Sequence, residues 1–508
     1  MEKRRIAIVG SGISSLGALW ALRNSPHEVC LYEAADRLGG HTNTVTFKHN
    51  GHSTQVDTGF IVLNTATYPN FIAFLKELNV KTIPSEMTFG VSRDHGAFEW
   101  AGTSLSALFA QCENLFRPSF WRMIFDIIRF NQFALDLLSA EEQGVSKTWR
   151  EQSIGEYIEQ EGYSANFRDD YIIPMTACVW STGPDKCALE FPAMTLVRFM
   201  WNHHLLNTTA ARPPWLTIEG GAQKYIDAVL RDARKASIYL STPVVSLKNR
   251  EDGKVILGLG GGSLEAQEVF DQVILGCHGD QALRIIWPSA TDEEKAILSE
   301  FQTTPNMAYL HSDLSLMPRR PLAWSAWNYL TQSSPSSNPP PTVSLTYNMN
   351  ILQNLPPSTF GPILVTLNPP HAPSPALTQG AYPYRHPVYT ARSVHAQDEL
   401  QKIQGTRGVW YCGAWTGYGF HEDGFSSGIK VAVEGLGGEV PWKRVDAKFV
   451  RGRTPVLEWK DYGVRVFVRA VQMLIVLSGW LVGLTKPGGI RAAALESGKG
   501  ESRKVKEL

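Results

Sequence analysis

Cysteine is scarce in this chain: 508 residues contain six, Cys30, Cys112, Cys178, Cys187, Cys277 and Cys412. None forms a C-x-x-C pair and no even spacing links them, which argues against a disulfide scaffold and a structural zinc site. Reduced thiols in an intracellular compartment are the expectation. Excess charge of either sign is also missing, with 48 Lys and Arg against 48 Asp and Glu. A balanced chain has no bulk attraction for phosphate backbones, so no nucleic-acid partner is expected. Lys3, Arg4 and Arg5 ahead of the apolar stretch Ile6 to Leu22 imitate a secretory leader. Gly10, Ser11, Gly12, Ser14, Ser15 and Gly17 interrupt that stretch and no small-residue cleavage site precedes Arg23, so no secretory signal is expected. There is no internal repeat. What is present is ample apolar material, 43% of the residues, enough for two or three domains.

Ile6 to Val9 is a β-branched run suited to a buried parallel strand, and Ile13 to Leu22 reads as a helix. Between them, Gly10-Ser11-Gly12-Ile13-Ser14-Ser15 has the spacing of a dinucleotide-binding turn. Gly10 permits the tight turn, Gly12 lets the backbone approach a pyrophosphate at the helix N-terminus, and Ser15 takes the close-packing position usually held by Gly or Ala. A second strand, Glu28 to Tyr32, ends at Glu33, placed to bind ribose hydroxyls and to repel a 2'-phosphate. NADP is therefore disfavoured.

From about Pro69 to Trp215 the pattern is mainly helical: Phe71 to Leu78, Ser104 to Cys112, Phe120 to Leu138, Ile154 to Glu161 and Pro192 to Leu206. Ile172, Ile173, Pro174, Met175, Trp180, Phe191, Phe199, Met200 and Trp201 suit either an apolar pocket or plain core. Strands at Ser237 to Leu240, Val244 to Leu247 and Val273 to Leu275 suggest a return to the nucleotide domain. Extended runs from Met307 to Leu367 suggest an antiparallel sheet, broken by the Pro/Ser-rich stretch Ser333 to Thr342. Val409 to Trp415 reads as a buried strand running into small residues, followed by a helix from Phe425 to Val433. Gly424-Phe425-Ser426-Ser427-Gly428 matches the hydrolase nucleophile elbow, but that order needs a later His and His421 is the last in the chain. Adjacent His203 and His204 lack a third ligand at sensible spacing and read as helix-surface residues, so no metal is expected.

The run Glu33-Ala34-Ala35-Asp36-Arg37-Leu38-Gly39-Gly40-His41-Thr42, with the first glycine turn and Gly413 to Gly424, resembles the flavin-containing amine oxidase superfamily over about residues 6 to 435. The resemblance implies an α/β fold, an FAD-binding Rossmann-type domain with an interleaved substrate domain made of a helical cap and an antiparallel sheet. It implies FAD held by Gly10, Gly12, Ser14, Ser15, Glu33, Arg37, Gly39, Gly40, His41, Thr42, Val244, Val245, Gly413, Asp423, Gly424 and Phe425. In it, Arg37 is a positive fork for phosphate, Val244 and Val245 meet adenine, and free N–H groups at Gly424 and Phe425 face the flavin. His41 stands where many members carry Arg. The Val56-Asp57-Thr58-Gly59-Phe60 segment fits a strand returning toward the flavin, with Asp57 equally readable as a turn residue.

Segments Arg37 to Thr42, Tyr171 to Met175, Arg212 to Trp215, Met317 to Arg320 and Gly417 to Gly424 are most similar to a flavoprotein branch found beside or fused to cyclopropane fatty-acid synthases. That association points to a hydrophobic substrate, fatty acyl or secondary-metabolite, rather than a simple amine. The expected chemistry is hydride abstraction by an FAD-dependent oxidoreductase, with a redox-neutral isomerase of unsaturated acyl chains or a non-catalytic flavin carrier as alternatives. His41, Tyr418 and His421 are the catalytic candidates. The expected divisions are 1–68, 215–295 and 396–440 for FAD, 69–214 and 296–395 for substrate, and a 441–508 tail. Ala470 to Thr485 carries no charge over 16 residues, so a membrane-associating helix over 464–485, spanning or in-plane, is expected on a cytosolic face. Oligomeric state is open.

Overall fold

In a computed structural model, residues 2–142, 152–180, 187–207, 212–260, 266–331 and 344–481 are described. The Pro/Ser-rich stretch 333–342 and residues 482–485 of the expected C-terminal helix lie outside them. Five strands form a parallel sheet in the order Ser237–Tyr239, Glu28–Tyr32, Arg5–Val9, Gln272–Leu275 and Val409–Tyr411. Its central strand is buried on both faces, as its unbroken Ile-Ala-Ile-Val run requires. The chain runs from Arg5–Val9 to one neighbour through the helix Ile13–Ala21 and reaches the other only at Gln272–Leu275. The strand order therefore reverses at the carboxyl end of Arg5–Val9, which opens a crevice where Gly10 begins. A three-stranded antiparallel sheet, Val244–Asn249, Val255–Leu259 and Ala266–Phe270, accompanies this half.

The second half is a seven-stranded sheet in the order Thr378–Pro387, Thr303–His311, Leu364–Leu367, Ser344–Asn348, Trp327–Thr331, Phe89–Arg93 and Phe98–Ala101. Helices Pro118–Phe133, Ile154–Gln160, Ile173–Trp180 and Ala193–Asn202 share its hydrophobic core. The FAD-binding α/β fold with a substrate sheet is thus present, but the sheet is mixed rather than wholly antiparallel. The described part of 69–214 is mainly helical, but Thr82–Ser85, Phe89–Arg93 and Phe98–Ala101 are strands that the sequence pattern did not reveal. Phe89–Arg93 pairs in parallel with Trp327–Thr331 across more than two hundred residues, a partnership no local pattern encodes. Sequence reading also missed the long strand Thr378–Pro387, whose two prolines obscure it.

The C-terminal helix runs Trp459–Leu481. Among the described residues no helix is long and apolar enough to cross a membrane, so the spanning reading does not hold. Within the described part of the expected 464–485 helix, Arg465 and Arg469 interrupt the apolar run.

Candidate functional site

One cavity of about 740 Å³ runs from the crevice at Gly10 to the underside of the helical region. Gly10 leaves the strand at φ +88°, a conformation that favours glycine, and its N–H donates to the Tyr32 carbonyl (2.8 Å). Gly12 precedes the helix Ile13–Ala21, and a Cβ built there meets no protein atom within 4 Å. No packing within the chain demands glycine at this position. A ligand backbone lying against it would. Glu33 is oriented from both sides: Ser11 Oγ donates to Oε2 (2.5 Å) and the Ala35 N–H to Oε1 (2.8 Å). Each carboxylate oxygen keeps a lone pair for a ribose hydroxyl. Gly39 and Gly40, at φ +108° and +57°, fold the next loop over Gly12, and the Gly39 N–H donates to Ser11 Oγ (3.1 Å).

Of the sequence-based cofactor residues, Gly10, Gly12, Ser14, Glu33, Arg37, Gly39, Gly40, His41, Val244, Val245 and Gly413 line this cavity, while Ser15, Thr42, Asp423, Gly424 and Phe425 do not. Arg37 lines it but spends donors on its own loop, to the carbonyls of Leu38, Gly40 and Thr42. It fixes the glycine turn rather than standing as a free fork. Ser15 is fully buried in the helix that packs on the sheet. A Cβ on Gly424 would approach Ile13 Cγ2 at 2.8 Å, Phe425 presses on Gly17, and a Cβ on Gly428 would run into the Ser14 carbonyl. The glycines of 424–428 therefore let the helix His421–Lys430 cross Ile13–Ala21 closely, and the Gly424 N–H is already bonded to the Phe420 carbonyl (3.0 Å). The cavity meets this helix one turn earlier, at Phe420 and His421.

The neighbouring acids are structural. Asp423 Oδ2 accepts from the Phe420 N–H (2.9 Å), capping its own helix. Glu422 accepts from the N–H groups of Asn70 and Phe71 and from the Asn70 and Ser426 side chains, which seals the start of the helix Pro69–Glu77. Ser426, the would-be nucleophile, is held in that network. Asp57 accepts from Thr44 Oγ1 (2.5 Å), the Ala222 N–H (3.0 Å) and Gln353 Nε2 (3.0 Å), tying three segments together outside the cavity. Burial pushes all three carboxyls up to about 7 despite these donors.

Two catalytic candidates meet the cavity and one does not. His421 stacks on Phe60 (ring centroids 3.6 Å) and its Nε2 pairs with the Tyr225 hydroxyl (3.0 Å), itself 2.5 Å from Thr42 Oγ1. Burial pushes His421 down to about 3, so its ring is neutral at physiological pH. His41 stacks on Tyr384 and lies 5.1 Å from His386 and 5.7 Å from His278. Burial, then the neighbouring His386 and His278, push it well down; its partial exposure is to the cavity, not to bulk solvent. Tyr418 lies behind the wall, where its carbonyl accepts from Trp180 Nε1 (2.8 Å).

Sequence reading missed His278, Tyr384 and His386. They arrive from a helix start and from the long strand Thr378–Pro387, where Tyr382, Tyr384 and His386 alternate with period two. That alternation was the available signal. His203 also needs correction: it is buried, lines the cavity beside Phe199 and Phe420, and is pushed down to about 4. Of the apolar pocket candidates around 172–201, Phe199 reaches the cavity, while Ile172, Trp180, Phe191, Met200 and Trp201 are core.

A profile of the family described as flavin containing amine oxidoreductase matches residues 18–299. The chain belongs to that family. No curated protein matches it closely enough to report. Among solved structures, putrescine oxidase bound to putrescine is 16% identical, with TM-score 0.58 over 85% of this chain and 99% of its own. A fatty acid isomerase of P. acnes that produces CLA is 14% identical, with TM-score 0.57 over 85% and 99%. Cyclohexylamine oxidase of Brevibacterium oxydans is 14% identical, with TM-score 0.54 over 85% and 98%. These likenesses show a shared fold. The family makes this an FAD-dependent oxidoreductase. The open face of Gly12, the poised Glu33 and the glycine loop above them fit the ADP half of that cofactor.

Proposed function

We propose that this oxidoreductase removes hydride from a neutral, apolar substrate of the fatty acyl or secondary-metabolite class. The carrying observation is the charge of the cavity wall. Around Phe199, Trp215 and Trp327 it is lined by Met87, Val179 and Leu205 with the uncharged His203 and Tyr347, and Glu33 is its sole acidic side chain among the described residues. An ammonium group brought there would be desolvated with no carboxylate to receive it, at a cost of several kcal/mol. An alkyl chain would instead gain about 0.8 kcal/mol per buried methylene.

Bound FAD supplies the hydride acceptor. The chain's own residues bind, orient and exclude water. Gly10, Gly12 and Glu33 hold the nucleotide, and the aromatic wall presents the substrate in a dry space. His421, neutral and hydrogen-bonded to Tyr225, and His41, against Tyr384, are positioned to orient groups by single hydrogen bonds rather than to carry charge. Anaerobic mixing of the yellow protein with neutral long-chain compounds and with amines tests the reading. Bleaching by the neutral set, with stoichiometric reduction of an added acceptor in turnover, is expected. Bleaching by amines alone overturns the substrate class, and a rearranged product formed without acceptor consumption overturns net oxidation.

A further inference from the structure

The helix Trp459–Leu481 packs on the helix Pro118–Phe133 and leaves much of its apolar surface exposed. Its contacts with the body include polar ones: Arg465 bridges Asp136 (2.9 Å) and donates to the Gln132 carbonyl, and Asp461 accepts from Gln132 Nε2 (3.4 Å). Arg465 and Arg469 both lie over the Phe133 ring, 5.0 and 4.8 Å from its centroid. Val468 is buried among them. The outward side is apolar: Trp459, Tyr462, Val466, Phe467, Leu474 and Leu477 are 79%, 59%, 70%, 67%, 65% and 52% exposed. Their spacing of three, four and seven residues makes one stripe along the helix. A stripe of this kind turned to solvent marks an interaction surface.

Charge identifies the occupant. Residues 441–508 hold 14 Lys and Arg against 6 Asp and Glu, a net +8, so in a neutral chain residues 1–440 carry −8. We propose that this helix docks in the plane of an anionic lipid bilayer, with its apolar stripe in the headgroup boundary and the net positive charge of the C-terminal sequence attracted to the surface. Basic residues are attracted to such a surface and the acidic body is repelled, which fixes the orientation. A twofold pairing of two copies through the same stripe would instead bring two +8 segments together. Docking is independent of the substrate reading, because none of the stripe residues lines the cavity.

The test is flotation of the full-length yellow protein with phosphatidylcholine vesicles and with vesicles that also contain phosphatidylserine, read by flavin absorbance. More than about tenfold greater recovery with phosphatidylserine is expected, lost at high salt. A triple variant Val466→Asp, Phe467→Asp, Leu474→Asp should stay unbound while keeping its flavin spectrum. The single change Leu474→Asp, expected to weaken binding partway, guards against misfolding of the triple. Wild-type protein that remains unbound with phosphatidylserine overturns the proposal. So does a wild-type dimer in sedimentation velocity that Leu474→Asp splits into monomers, which would make the stripe a self-interface.

Discussion

Two glycines of the nucleotide half are kept for opposite reasons, and the nucleotide and substrate halves differ in what their polar groups face. In the nucleotide half a glycine at 12 faces empty space, whereas at 428, one helix away, the missing side chain is filled by the Ser14 carbonyl. One glycine is kept for a ligand and the other for the fold. The nucleotide half holds polar groups that look outward to a ligand, such as Glu33; the substrate half turns its polar groups inward, as where buried Glu99 accepts from the Arg319 and Arg320 N–H groups, and leaves an apolar wall.

Gly428→Val is the harshest test of that contrast. A side chain there has only backbone to displace, so a loss above about 4 kcal/mol and little soluble folded protein are expected. Gly12→Val should leave the far-ultraviolet circular dichroism and thermal unfolding of the apoprotein near wild type yet abolish flavin absorbance. If Gly12→Val unfolds the chain, or retains its flavin, the contrast is broken. Glu33→Gln keeps the shape and removes the charge. Losing charge-assisted bonds of about 1.5–3 kcal/mol should weaken FAD roughly tenfold to a hundredfold, measured by fluorescence on reconstitution.

A smaller effect concerns Glu422. An unfolded glutamate titrates near 4.5 and the folded one is pushed up to about 7, so the folded state holds the proton more tightly. Its contribution is fully present below the unfolded value and is lost as pH rises through about 7. Glu422→Gln resembles the protonated form, so its melting temperature should fall less between pH 5 and pH 8 than that of wild type. Equal slopes would mean that its donors, not burial, set its ionisation.

The two halves also differed in how far they could be read from sequence. The turn from Val9 to Ile13, the strand Glu28–Tyr32 and Glu33 lie within one local stretch, and each residue's type follows from the geometry it must adopt. Tyr384 and His386 meet His41 only because a strand more than three hundred residues later crosses the sheet, and Phe89–Arg93 is a strand only by pairing with Trp327–Thr331. The final glycines were legible as a motif, but their packing role was not. Gly424 and Gly428 pack one helix on another, and the acids between Phe420 and Gly424 close helix ends. Local spacing reports a turn's conformation, while it is silent on which face of a later helix points into a cavity.

The central claim is that the substrate end receives neutral apolar chains and has no place for a cation. It is tested most directly by following the flavin spectrum during titration with a long-chain alcohol and with an alkyl diamine of equal length, in wild type and in Leu205→Glu. The account predicts saturable perturbation by the alcohol and little by the diamine in wild type, with the alcohol weakened by more than about tenfold in the variant. Tighter binding of the diamine to the wild-type protein would contradict it.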